Sequence, residues 1–231
     1  MNSVLEGLLP RQERTTMAET VYLDIKQLLL AGLIPPGEKV TLRGLAQALG
    51  TSPMPVRDAV ARLVTEGAFE AMPNRGFRVF KPKLAEFREI VKLRCCLEGF
   101  AAEEAVVHLT DKEIKQIKAH ARKFQRLANR RKVDTFAVVQ ANRELHFTLY
   151  EASAMPRLVS MIENVWTQIG SLFSLSMNIE RRGVAEWESF QHHERLIAAL
   201  IARDGEGARD AVVNDILDAS AHIEAVANLK N

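Results

Sequence analysis

A mainly helical protein of two domains is predicted: a winged helix-turn-helix of three helices plus a β-hairpin wing, followed by an all-α bundle of six helices. Three observations lead there. Apolar residues make up 47% of the 231-residue chain but aromatics only 6%, so the core is mostly Leu, Ala, Val and Ile, which suits helices better than a β-sandwich. β-like runs are confined to residues 68–80. From residue 84 onward, apolar side chains recur at helical spacing with no strand signal.

The elements follow in order. Residues 1–15 read as a polar flexible arm interrupted by Pro10. A helical pattern begins at Thr16, places Val21, Ile25, Leu28 and Leu29 on one face, and stops at Gly32. Pro35-Pro36-Gly37 cannot be helix interior and is read as a turn. A second helix starts after Thr41, whose hydroxyl can cap it, and runs to Gly50. The third opens with Pro53 and Pro55, tolerated where the first-turn N–H groups are free anyway, and ends at Gly67. Extended runs at 68–72 and 77–80 are joined by Pro73-Asn74-Arg75-Gly76, a hairpin signature. The first domain is thus 16–81, with Lys81-Pro82-Lys83 as the boundary. The second, 84–231, carries helical patterns at 84–108, 111–131, 134–152, 156–178, 186–203 and 206–228.

Several classes are set aside. The only cysteines, Cys95 and Cys96, are neighbours, so no disulfide scaffold is expected and a reducing cytoplasm is the simplest setting. The longest uncharged stretch, 164–179, is shorter than a membrane span and contains Asn, Thr, Gln and Ser. The first residues lack the pattern of a secretory signal. Residues 1–82 hold ten Lys and Arg against eight Asp and Glu, and the remainder balances at 21 each, so charge supports nucleic-acid binding only mildly.

In the first domain, the helices at 42–49 and 53–66 form the crossing pair, and the third helix would enter a major groove N-terminus first. Ser52, Pro53, Met54 and Arg57 then lie nearest the bases, and the Arg57 guanidinium fork suits guanine or phosphate. The wing tip Asn74-Arg75-Gly76 would meet the backbone or minor groove. The plainer alternative pairs Arg57 with Asp58 or Glu66 on a solvated helix.

In the second domain, polar residues sit on apolar faces. Asn142 and His146 share a face with Val138, Val139, Leu145 and Leu149; His193 lies with Phe190, Ile197 and Leu200; Asp215 lies beside Ala208, Val212, Ala219 and Val226. A lone carboxylate on an apolar stripe is costly unless paired or metal-bound. Two imidazoles, a carboxylate and an amide therefore make a candidate divalent-metal site, the alternative being ordinary hydrogen-bonded core residues. No HExxH and no nucleophile–base pair is found, so catalytic residues are not assigned and an enzyme is not expected. The basic helix 111–132 carries Ile114, Ile117, Ala121, Phe124 and Ala128 opposite most of its charge, as a solvated outer helix does.

The stretch LLLAGLIPPGEKVTLRGLAQALGTSPMPVRDAVARLVTEGAFEAMPNRGFRV resembles the GntR family DNA-binding domain. The segments EIVKLRCCLEGFAAEEAV, NRELHFTLYEAS and HERLIAALIARDGEGARDAV resemble the FCD ligand-binding domain of the FadR branch of that family. The first resemblance implies that Arg43, Arg57, Arg75 and Gly76 contact double-stranded operator DNA; Pro53 stands where many relatives carry an arginine. The second implies a metal (zinc, nickel or manganese) at Asn142, His146, His193 and Asp215, with amide and carboxylate standing where many relatives have Asp and His. It also implies that Arg94 lines an effector pocket suited to a small carboxylate, the alternative being an Arg94–Glu98 helical pair. His222, about 10 Å beyond Asp215 along its helix, would serve another layer of that pocket, and His192 is expected to be exposed. A homodimer follows from the resemblance and from the few contacts one winged helix can make. The expected function is a ligand-responsive cytoplasmic transcription regulator, a repressor by the commoner pattern. Its rivals are a metal-dependent enzyme with a winged-helix docking module and a constitutive DNA-binding dimer.

Overall fold

The computed structural model describes residues 16–73, 76–176 and 188–229. Their element order is α1 (Met17–Leu30), β1 (Lys39–Val40), α2 (Leu42–Ala48), α3 (Pro53–Thr65), β2 (Phe69–Met72), β3 (Gly76–Val79), then α4 (Leu84–His108), α5 (Asp111–Ala128), α6 (Thr135–Glu151), α7 (Pro156–Ser176), α8 (Glu188–Ala202) and α9 (Gly205–Val226). The expected N-terminal arm and the wing-tip pair Asn74 and Arg75 lie outside the described residues.

Helix starts are written in side chains. Thr16, Thr41, Asp134 and Asp204 each accept a hydrogen bond from the backbone N–H three residues on, satisfying a donor the helix cannot. At α5 the exchange is reciprocal: Thr110 Oγ1 accepts from Glu113 N–H, and Glu113 accepts from Thr110 N–H at 2.7 Å.

One expectation is corrected in the wing. Lys39 and Val40, where no strand is expected from the sequence, form β1 and pair antiparallel with β3, giving a three-stranded sheet of order β1-β3-β2. The signal was absent because a two-residue strand has no periodicity and exists only through its partner. Gly76 also has a part in the sheet. Its φ is +86°, and a Cβ there would sit 2.6 Å from the Val40 carbonyl oxygen. The glycine lets β1 close on β3, whatever the wing tip meets.

Two apolar clusters form. Val21, Ile25, Leu29, Val56, Val60, Leu63, Phe69 and Val79 close the winged helix. The larger cluster fills the space among α4–α9 and reaches Leu30 at the end of α1. α7 makes that junction. Gly170 packs on Leu30 so closely that a Cβ would lie 2.9 Å from the Leu30 Cα. Gln168 Nε2 donates to the Glu66 carbonyl at 3.0 Å, and buried Lys26 pairs with Glu163 at 3.3 Å. Lys26 also donates to the Tyr22 hydroxyl, which donates to Glu66, while the Arg62 guanidinium lies 3.6 Å over the Tyr22 ring. Burial and the Glu66 carboxylate both push the Tyr22 pKa far up, so the phenol stays protonated.

The close approach at Gly170 has a measurable consequence. Gly170→Ala should force α1 and α7 apart and cost about 1–3 kcal/mol by overpacking, read as a lower urea midpoint with the slope unchanged.

Candidate DNA-reading face and cation centre

Ser52, Met54 and Arg57 lie on the open side of α3, Met54 at 68% exposure, and Arg43 is exposed on α2. α3 opens on Pro53 after the extended backbone of Ser52, at a first-turn position where no intrahelical N–H is needed. Neither alternative partner takes Arg57. Glu66 is held by Arg62 and Tyr22, and Arg57 makes no ion pair among the described residues. Arg75 lies outside the described residues, and Gly76 opens β3. On α5, the side opposite buried Ile114, Ile117, Ala121, Phe124 and Ala128 carries the exposed basic residues.

In the bundle, α6, α8 and α9 bring His146, His193 and Asp215 together: one ligand-type atom from each lies within 4.8 Å of the others, and all three residues are buried. Asp215 Oδ2 is 3.2 Å from His146 Nε2 and 3.7 Å from His193 Nε2. Burial alone would raise the Asp215 pKa, but its contacts with His146 and His193 outweigh that and hold the carboxyl well below its usual range. Both His193 ring nitrogens and Asp215 Oδ1 are buried without a hydrogen-bond partner. Orphaned buried polar atoms of this kind are costly, and oxygen and imidazole donors at this spacing suit a borderline divalent cation. The residues fit the metal that the family resemblance implies. Asn142 is half-buried one turn before His146 and makes no side-chain hydrogen bond among the described residues.

Arg94 is buried and forms the i,i+4 pair: its Nε donates to Glu98 at 2.6 Å and its Nη2 at 3.2 Å. Burial opposes the guanidinium's charge, but Glu98 outweighs it and raises the pKa further. The guanidinium carbon also lies 5.2 Å from the ring centres of Trp166 and Phe173. Tyr150, also buried, donates to Glu98 at 2.6 Å and contacts His146 Nδ1 at 3.0 Å. Burial and Glu98 push the Tyr150 pKa well up, which keeps its proton in place. Sequence reasoning missed Tyr150 and the junction of Glu98 with it. The i,i+4 spacing of His146 and Tyr150 was the available signal.

His192, expected to be exposed, is buried, and its Nε2 meets Asp218 at 2.5 Å. Two adjacent residues at the α8–α9 contact both turn inward, each taking its own carboxylate. His222 is half-buried two turns beyond Asp215. Cys95 is half-buried, with its pKa raised by burial, and Cys96 is exposed. A cavity of about 320 Å³ opens between α5 and α8, with His193, Phe190 and Ala121 in its wall beside Lys118, Arg122 and Glu194.

A winged helix with an uncovered third helix, joined to an all-helical domain, defines a DNA-binding transcriptional regulator. The chain belongs to the GntR family and carries a C-terminal FCD domain: residues 17–79 match the family described as "Bacterial regulatory proteins, gntR family" and residues 89–219 match the FCD domain. It is 32% identical over 200 residues to the HTH-type transcriptional regulator McbR of Escherichia coli K12, covering 86% of this chain and 89% of that one. A probable D-xylose utilization operon transcriptional repressor of Paenarthrobacter nicotinovorans is 26% identical, with 92% of each chain covered. The solved structure of E. coli McbR/YncC superposes with a TM-score of 0.84 at 30% identity, over 93% of this chain and all of that one. A GntR regulator from Rhodococcus sp. RHA1, at 19% identity and a TM-score of 0.72 over 90% and 98% of the two chains, shares the fold. No described helix is long and apolar enough to cross a membrane.

The depressed Asp215 pKa gives a signed prediction for chelator-treated protein. A folded pKa below the unfolded value of about 3.9 means the carboxylate stabilises the fold above that value, and the contribution is lost as pH falls toward the lower folded pKa. The stability gap between wild type and Asp215→Asn should be widest near neutrality and shrink below about pH 4, as followed by urea midpoints.

Proposed function

We propose that the protein is an effector-responsive regulator, a repressor by the commoner pattern, that binds operator DNA as a homodimer in the cytoplasm. Its helical domain would hold a divalent cation (zinc, nickel or manganese) on His146, His193 and Asp215, with Asn142 alongside. The observation that carries the reading is the cluster of orphaned nitrogens and oxygen at His193 and Asp215, beside a cavity of ligand size. The cation would neutralise those groups and offer an open position to one oxygen of a small carboxylate. Since Glu98 already occupies Arg94, the effector's charge would be met chiefly by the cation and by Lys118 and Arg122 at the cavity. Arg94 and His222 would shape the pocket around it. α7 supports a route to the DNA: Trp166 and Phe173 lie against Arg94, while Glu163, Gln168 and Gly170 hold the winged helix. A shift of α7 would move one recognition helix relative to its partner. The reading assigns no catalytic step.

Three measurements test this. Gently purified protein should carry close to one divalent ion per chain by elemental analysis, lost on acidification because coordination requires unprotonated imidazoles; metal-free protein with normal effector response rejects the cation. Arg57→Ala should cost about 1–3 kcal/mol in specific operator binding if the side chain reads a base edge, whereas Arg75→Ala should weaken binding to all sequences and lower the salt slope. Light scattering should give twice the 25.9 kDa chain mass; a monomer on and off DNA contradicts the dimer.

A further inference from the structure

Tyr150 has one proton to donate. Glu98 is 1% exposed, and its oxygens already accept from Arg94 Nε and Nη2, so it is an ionised carboxylate that can only accept. The Tyr150 proton therefore goes to Glu98, at 2.6 Å. The hydroxyl oxygen is left as an acceptor facing His146 Nδ1 at 3.0 Å. Between those atoms a proton is needed, and only the imidazole can supply it. His146 is thereby held with hydrogen on Nδ1, so the neutral ring carries its lone pair on Nε2. That nitrogen faces Asp215 Oδ2 across 3.2 Å, where two acceptors need either a second ring proton or a metal cation between them.

We propose that Tyr150 and Glu98 are positioning residues for the cation centre: anchored by Arg94, they select the Nδ1–H tautomer of His146 and so commit Nε2 to the ion. The proposal rests on the reading that the centre holds a divalent cation. It also assigns Arg94 a role apart from the effector. Its guanidinium, set against Trp166 and Phe173, fixes the far end of a relay that runs Arg94–Glu98–Tyr150–His146 from α4 to α6. A free imidazole takes either tautomer, and the hydrogen bond at one nitrogen decides what the other can bind. Without the relay, the histidine would spend part of its population with hydrogen on Nε2, blocking the ion.

The test uses the full-length, chelator-stripped protein labelled with ¹⁵N-histidine, and Zn²⁺ alone as the probe. Ring ¹⁵N shifts, read at a pH where the ring is neutral and with the His146 signals identified by their loss in His146→Gln, should show protonated Nδ1 and bare Nε2 in the metal-free wild type. Tyr150→Phe keeps the ring and removes the acceptor; it should mix the tautomers and weaken Zn²⁺, by chelator competition, by about 10–100-fold. Glu98→Gln should act oppositely at the same atoms: its amide N–H can donate to the Tyr150 oxygen, turning the hydroxyl toward His146 Nδ1 and forcing hydrogen onto Nε2. Circular dichroism confirms that each variant is folded. A neutral wild-type ring with its hydrogen on Nε2 overturns the proposal, as does wild-type Zn²⁺ affinity in folded Tyr150→Phe. Failure of the wild type to bind Zn²⁺ overturns the underlying cation reading and this proposal with it, whereas binding that ignores Tyr150 overturns the proposal alone.

Discussion

Charge inside an apolar bundle must be answered from within, and that requirement organises the helical domain. Glu98 and Asp215 are both buried carboxylates, and among the described residues one buried guanidinium, Arg94, faces them. Arg94 is spent on Glu98 through two hydrogen bonds. Asp215 is left with two imidazoles, which neutralise it only by carrying a proton or sharing a cation. A solvated ion pair at the Arg94–Glu98 spacing would be worth a few tenths of a kcal/mol. Here both partners are desolvated, so removing either strands a buried charge.

The same economy shapes the junction between the two apolar clusters. α7 contributes Trp166 and Phe173 to the face beside Arg94, and Glu163, Gln168 and Gly170 to the face against α1 and α3. Glu163 is shared: Lys26 reaches it from the winged helix, and Arg143 reaches it from α6 at 3.1 Å. Arg143 in turn lies over the Phe147 ring, whose edge meets Trp166. The polar centre and the winged helix are thus linked by a chain of side-chain contacts, the kind of arrangement through which a change at one end can bias the other.

Much of this was legible in the chain. Thr16, Thr41, Asp134 and Asp204 announce helix starts because capping is a local interaction between a side chain and a backbone three residues away. Asn142, His146, His193 and Asp215 stood out because helical periodicity assigns a face, and a polar residue on an apolar face needs a reason. The GntR and FCD resemblances rested on contiguous motifs, and the family is the one they indicated. What failed was equally physical. β1 is two residues long and owes its existence to β3. His192 sits next to His193, and periodicity turned it outward, yet Asp218 on the neighbouring helix gives it a buried partner.

The sequence by itself determined the helical architecture, the winged helix and the inward face of His146, His193 and Asp215, because these depend on spacings of three or four residues along one segment. Only the tertiary structure decided which inward-facing groups share a proton. Arg94 and Glu98 are neighbours on α4, but Tyr150 lies 52 residues beyond Glu98 and Asp215 belongs to another helix again. A hydrogen bond is directional and acts over about 3 Å, so its partner is fixed by how helices pack, and helix packing is not written in any one helix.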